Sequence, residues 1–494
     1  MGGKAVVRSI SVLTGAVESV ADEAGGAEAS PDGRQILLVT DASRQVTVAG
    51  SRGESPRAVF RAPDGQIIGS VHWLPGGTRI GYLRGVDNAP DAWIETRDIT
   101  GSDPRPVLEA DVWGLAFADD RVFYTTREGQ PQQSVSLWTI PINPVTGARA
   151  GEPSLLARWP GIVAADLLTI SADGRRIALT KQLSQSDVYL LALDAAGQAV
   201  TEHRQLTTDT QVDWPSQWAP DGRSFLFVSA RSGSMHAFRQ PVAAETPQPI
   251  GTGELPVRSP QITPDGRWIV YVEMAYQPPR ARVMRVPIEG GPAEPVVTLS
   301  STVATANLQF FPPVPGAAGT GAGAFPEIRC ASRPDGSCVI AELRASGGDA
   351  DLVVSAFDPL TGHTRPLAVV KSASSFTFWD VSPDAATVAV GAFAWDGGDR
   401  ISLITAATGE TRVLRVTDFK NIHDIAWAPD GRSLFATTGT LHGGELLHIM
   451  LDGRAVLLRR YQSQELFAPR PSPDGRSLLV GVQQNNSNAW VIDR

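Results

Sequence analysis

Cysteine is nearly absent: Cys330 and Cys338 are the only two in 494 residues. They bracket a turn in "CASRPDGSC", a spacing that would set them on facing strands of a hairpin, within disulfide reach. Free core thiols are the alternative, and a metal site would lack further Cys or His ligands nearby. A disulfide would place this region outside the cytoplasm. Long apolar runs are also missing: nothing approaches the roughly eighteen consecutive apolar residues of a membrane-crossing helix. The opening "MGGKAVVRSISVLTGAVESV" has no charged segment followed by an apolar core, so no signal peptide is expected. Cationic excess is lacking as well. A net charge of -9 argues against nucleic acid, which selects basic faces.

The motifs of common chemistries are missing too. There is no G-x-S-x-G elbow, H-E-x-x-H, EF-hand or Walker loop. Kinase signatures are absent, and the nearest approach, "TDFKN" from Thr417 to Asn421, lacks the glycine of D-F-G. His72, His203, His236, His363, His423, His442 and His448 are scattered without catalytic spacing. No catalytic residue, metal or cofactor is expected.

What the chain has is punctuation: 48 Gly and 37 Pro at regular intervals. Pro-Asp-Gly or a near variant recurs ten times, starting at residues 30, 74, 117, 171, 219, 263, 333, 382, 428 and 472. Most steps are 43 to 54 residues, and the step from 263 to 333 is 70. After each turn comes an apolar strand such as "RQILLVT" or "RWIVYVEM", then a loop, a second strand such as "DVYLLALD", a Gly turn and a last strand. That grammar describes a four-stranded antiparallel sheet per repeat, without amphipathic helices. The expected fold is all-β, a β-propeller of four-stranded antiparallel blades. Seven motifs from residue 171 onward suggest one complete seven-bladed ring over residues 161–494. Residues 1–160 would hold blades of a partial or second propeller, shortened by truncation or a late start; closure of these blades against the C-terminal ones, or insertion of one ring in the other, are the alternatives. The long step holds a Pro/Gly/Ala insertion, "FFPPVPGAAGTGAGAFPEIRC". Its Gly319, Gly321 and Ala324 match a dinucleotide spacing but lack the strand and helix that motif needs.

In Xaa-Pro-Asp-Gly the proline presets φ, the Asp bonds nearby amides and the Gly finishes the turn without steric cost. Asp32, Asp221, Asp265, Asp335, Asp430 and Asp474 are therefore read as structural turn residues rather than a ring of cation ligands. Trp73, Trp218 and Trp427 would end inner strands with the indole wedged between blades. The place for a ligand is the central channel, lined by residues leading into each turn. Polar residues there interrupt strands that should be apolar: His72, Asp213, Trp214, Lys420, His423 and Asp424 are the candidates. Facing channel water is the alternative reading of the same residues.

The "SPDGR" turn and endings such as "RQLTTD" resemble the propeller repeat of the TolB-like family. "LWTIPINPVTGARAGEP", "RVMRVPIEGGP", "IRCASRPDGSCVIAE" and "FDPLTG" resemble more narrowly the C-terminal propeller region of bacterial membrane-anchored serine/threonine kinases and winged-helix regulators. That resemblance runs over most of the chain from about residue 135. It implies a periplasmic or extracytoplasmic module downstream of a membrane helix, the cytoplasm being the alternative for a chain with no signal peptide. The leading expectation is a non-catalytic sensor that binds a protein, peptide or small molecule. A propeller enzyme of lyase or glycosidase type, or a TolB-like envelope scaffold, are the alternatives.

Overall fold

The computed structural model describes residues 6–493 apart from 42, 87–91, 119, 129–133, 161–163, 172–173, 252, 277–278, 300–325, 335, 347–348, 372–376, 393–397 and 441–442. Asp335 and the insertion with Gly319, Gly321 and Ala324 thus lie outside the described residues. No helix is present among the described residues, and none is long and apolar enough to cross a membrane.

Each fully described Xaa-Pro-Asp-Gly turn closes the first hairpin of a sheet. In the copy at Ala219, the Gly222 N–H donates to the Ala219 carbonyl at 2.9 Å, and the Ala219 N–H to that of Ser224 at 2.8 Å. The Asp221 carboxylate accepts from the Arg223 N–H at 2.9 Å. Asp32, Asp265, Asp430 and Asp474 accept from the residue two ahead in the same way. Where Ser or Thr precedes the proline, its hydroxyl donates to the same carboxylate at 2.6 Å, as Ser30 does to Asp32 and Ser472 to Asp474. Those hydroxyls hold both carboxyls below the usual carboxylate range. Gly222, Gly266 and Gly475 adopt φ of 65°, 71° and 70°, where a Cβ is costly. Ala385 occupies the same position in "SPDA" at 57°.

The strand after the turn is buried on both faces. Every residue of Ser224–Ser229 is buried, as expected of a strand covered by neighbouring sheets on each side. Between adjacent sheets, Phe378, Ile401 and Leu414 of one pack with Ile425, Trp427 and Leu447 of the next. Trp73, Trp218 and Trp427 are all buried. Cys330 and Cys338 face each other across the first hairpin of their sheet and are joined as a disulfide.

The chain forms two compact units, residues 184–485 and residues 1–183 with 486–494. In the unit of residues 184–485, five sheets of four consecutive strands cover residues 213–250, 257–299, 327–370, 377–415 and 422–460. The sixth is composite. Its inner strands are Glu465–Pro471 and the first half of Ser477–Asp493; its outer ones are the second half of Arg176–Leu193 and Val200–Gln205. The Leu193 N–H donates to the Arg476 carbonyl at 2.8 Å across that seam. The first strands of the six sheets touch in a cycle: Asp213–Trp218, Val257–Ile262, Glu327–Cys330, Thr377–Val381, Ile422–Trp427, Glu465–Pro471 and back to Asp213–Trp218. The result is a closed ring of six sheets, a β-propeller.

This ring differs from the one the motif spacing predicts over residues 161–494, because the Ser171 turn falls in the other unit. The physical reason is continuity of the chain. Arg176–Leu193 is one strand whose first half pairs with Ala164–Ile170 and whose second half pairs with Val200–Gln205. In the unit of residues 1–183 and 486–494, four-stranded sheets span residues 26–61, 66–110 and 112–160. Their first strands, Gly26–Ala29, Gln66–Trp73 and Val112–Ala118, touch in that order and lead to Ala164–Ile170.

Candidate functional site

An inner strand of a propeller has one edge without a ladder partner, and that edge faces the channel. Proline, which cannot donate, is tolerated there. "DWPSQW", "VRSPQI" and "ELFAPRP" accordingly place Pro215, Pro260 and Pro469 in three inner strands. Ladder register shifts at each of them, and Ser259 and Ala468 take φ of 46° and 47°. These bulges turn side chains out of the ladder and into the channel.

The cavity at the N-terminal ends of the inner strands is lined from all six sheets. Half-buried Trp214 and Arg258 line it together with the charged groups Glu327, Arg329, Asp424 and Arg470, and Phe378 and Phe467 are buried beside it. Arg329 and Arg470 also line the cavity on the opposite, turn side, where Pro220, Pro264, Pro383, Pro429 and Pro473 surround the mouth. The two arginines therefore form the waist of the channel.

Most polar groups at this waist stitch one sheet to the next. Gln217 accepts from the Ile262 N–H at 2.6 Å, and Gln261 from the Cys330 N–H at 3.2 Å. Asp380 accepts from the Trp427 N–H, and Asp424 from the Ala468 N–H, each at 2.8 Å. The other Asp424 oxygen takes the Ile425 N–H at 2.8 Å. Glu327 accepts from the Trp379 indole at 2.9 Å and pairs with Arg329 at 3.3 Å. Arg470 Nε donates to the Ser216 carbonyl at 2.9 Å and its Nη1 to that of Pro469 at 2.8 Å. Burial pushes the Glu327 and Asp380 carboxyls up even though Arg329 and Arg470 oppose it, and it pulls Arg470 down.

Of the residues singled out in the sequence, Trp214 and Asp424 line this cavity. His423 is buried beside Asp424, and burial pulls its imidazole down to about 4, so it is neutral at neutral pH. Asp213 is fully buried and bonded by Arg231 Nη2 at 2.9 Å, a nitrogen it shares with Asp209 at 2.6 Å. Burial raises Asp213 to about 6; Asp187, close enough to feel its charge, is raised to about 6 as well, chiefly by burial. Lys420 is exposed in the loop before Ile422–Trp427. His72 belongs to the other unit, where its Nδ1 meets Glu28 Oε2 at 2.7 Å.

Sequence reasoning missed Arg258, Glu327, Arg329, Asp380 and Arg470. A signal was present for two of them. Gln217, Gln261, Asp380 and Arg470 all stand three residues before the turn proline, a polar position in an otherwise buried strand. Glu28 and His72 share that offset, and Glu28 likewise accepts from the Trp73 N–H at 3.1 Å. Arg258, Glu327 and Arg329 follow no common offset.

Fold and channel together define a β-propeller with a closed six-sheet ring. No family model matches the chain. Over an alignment 184 residues long that covers 33% of this chain and 16% of that protein's length, the chain is 28% identical to Protein HIR1 of Coccidioides immitis (strain RS). Among solved structures, TolB from Acinetobacter baumannii matches with a TM-score of 0.38 and 13% identity, over 75% of this chain and 82% of that one. A chain of a nidogen/laminin complex matches with a TM-score of 0.38 and 11% identity, over 61% of this chain and 98% of that one. The tricorn protease matches with a TM-score of 0.26 and 13% identity, over 100% and 48%. At these scores the propeller assignment rests on the sheets and their cyclic contacts.

Proposed function

We propose that residues 184–485 act as a non-catalytic binding module whose channel takes a protein segment, peptide or small molecule. The chain would serve as the extracytoplasmic sensing part of a bacterial signalling receptor. One observation carries the binding reading: the channel carboxylates are engaged in holding sheets together, while aromatic and cationic side chains are left facing the cavity. Glu327, Asp380 and Asp424 each accept from a neighbouring strand. General acid–base chemistry needs a carboxylate within reach of substrate, and these are spent on the scaffold. Trp214 and Arg258 are half-buried at the cavity and offer it an aromatic face and a cation, the mixture of apolar surface and a few polar groups that ligand pockets use. The Cys330–Cys338 disulfide supports an oxidising compartment.

The test is a thermal-shift screen of metabolites and envelope peptides on the full chain and on Trp214→Ala. A compound that stabilises the first and not the second supports the channel as the site. Compounds that stabilise both equally would place binding elsewhere.

A further inference from the structure

We infer that the hairpin of Val6–Ile10 and Val17–Asp22 is the outer half of a propeller sheet. Its open edge takes an inner hairpin of the Xaa-Pro-Asp-Gly kind, joined ahead of Val6 on a longer form of the chain. This is independent of the channel and of what binds there.

Three observations place the hairpin, and the first is its turn. The Ser11 N–H donates to the Ala16 carbonyl at 2.9 Å, and the Gly15 N–H to the Ser11 carbonyl at 2.7 Å. The same two bonds join Asn143, Gly147 and Ala148 at 2.8 Å each, and Asp358, Gly362 and His363 at 2.9 Å each. Both of those turns link the third strand of a sheet to its fourth. Thr precedes the Gly in all three, and the Gly φ is 70°, 67° and 75°. In the turns between first and second strands the Gly N–H reaches back three residues and not four, as Gly222 does to Ala219.

The second observation is a close approach. Gly101 and Gly453, each in a turn from third to fourth strand, lie so near the Val59 and Arg415 carbonyls that a Cβ would not fit. Val59 and Arg415 stand on the fourth strand of the sheet before. Gly53, in the same turn of the sheet at residues 26–61, has that relation to the Val20 carbonyl. Val17–Asp22 therefore holds the fourth-strand place ahead of that sheet. The third observation is packing. Val7 and Ala21 pack with Ala24, Leu38 and Ala49, as Ile401 and Leu414, on third and fourth strands, pack with Ile425, Leu434 and Leu447 of the next sheet.

What the hairpin lacks is an inner half. The third strand Gln45–Gly50 pairs with Gln35–Thr40 on one edge and Arg57–Arg61 on the other, and its middle is buried. Among the described residues Val6–Ile10 pairs with Val17–Asp22 alone. Four of its five residues are exposed, Ile10 by 66%. A free edge beside exposed apolar side chains is a template for a further strand, and a hairpin by itself is marginally stable. Every other strand among the described residues already belongs to a sheet, and residues 1–5 are too few for two strands and a turn. The repeat fixes the occupant. In the sheets of four consecutive strands the second strand leads into the third, so the inner hairpin is joined ahead of Val6. Its second strand is apolar on both faces, like Ser224–Ser229.

The experiment supplies that hairpin. A copy of Gly26–Arg44, the chain's own inner hairpin with the link to its third strand, replaces residues 1–5 directly ahead of Val6. Hydrogen–deuterium exchange in Val6–Ile10 should slow at least about tenfold against the parent, and the melting temperature should rise. The same copy carrying Leu37→Pro and Val39→Pro, which break its ladder, should do neither. Equal exchange in Val6–Ile10 with the two copies overturns the proposal. A free Gly26–Arg44 peptide at the concentration of the chain should leave the edge unprotected. Protection matching that of the joined copy would assign the edge to a separate partner and overturn the joined source. The parent chain gives a test without any variant: part of the Val6–Ile10 amides should exchange freely, in a monomer. Full protection of that strand in a dimer would put a second copy on the edge and overturn the proposal.

Discussion

The Trp218 indole N–H donates to the carbonyl of Arg470, 252 residues further along the chain, at 2.8 Å. Arg470 answers with its guanidinium on the Ser216 carbonyl at 2.9 Å. These bonds join the first and last inner strands of the ring. Trp218→Phe keeps most of the buried ring and removes the donor, leaving a buried carbonyl without that partner. Urea unfolding should show a loss of about 1–3 kcal/mol. An unchanged midpoint would mean that closure rests on the composite sheet alone.

Ala385 stands in the left-handed region where Gly33, Gly222, Gly266, Gly431 and Gly475 stand in other turns. Ala385→Gly should raise stability by about 1 kcal/mol, since an L side chain there costs roughly 1–2 kcal/mol. The reverse change, Gly266→Ala, meets no atom within 4 Å, so only backbone strain acts. It should destabilise by a similar amount. Paired thermal melts of the two variants check both signs.

How much of this was legible in the sequence divides along the same line. A turn motif is local: Pro, Asp and Gly act on residues within a few positions, so ten copies announce their hairpins and the sheets that follow. Ring membership is not local. Arg176–Leu193 reads as strand throughout, and nothing in it marks where its first half joins one set of partners and its second half another. The site follows the same logic. Trp214 and Asp424 were visible as polar or aromatic breaks in inner strands. Lys420 looked alike and lies exposed, because strand and loop are told apart only once the hairpin register is known. Arg258, Glu327 and Arg329 converge from separate sheets, and convergence leaves no trace in spacing.

Asp213 and Asp187 contribute to the pH response of the ring. Their folded pKa, about 6 for each, lies above the ordinary 3.8. Between about pH 4 and 6 the folded state therefore holds protons that the unfolded chain has released, and stability falls as pH rises through that window. The turn carboxylates Asp32 and Asp474 act oppositely: their folded pKa is lowered, so their contribution is lost as pH falls through those lowered values. His423, pulled down to about 4 by burial, acts the other way over the same window. The check is therefore a difference: the gap in melting temperature between the parent and Asp213→Asn should move in the parent's favour from pH 7 to pH 5.

The Cys330–Cys338 bridge closes a loop of eight residues' separation. By loop entropy it should contribute about 2–3 kcal/mol. Cys330→Ser/Cys338→Ser and dithiothreitol treatment of the parent chain should lower the melting temperature alike. A fall with the variant alone would point to lost packing of the buried sulfurs instead.

The claim that the six-sheet channel is the binding site is tested most directly by hydrogen–deuterium exchange of the full chain, with and without a stabilising compound from the screen. The account predicts added protection at residues 213–216, 257–259, 327–329, 377–380, 422–424 and 465–470, the channel-facing parts of all six inner strands. Protection confined to outer strands, or to residues 6–183, would contradict it.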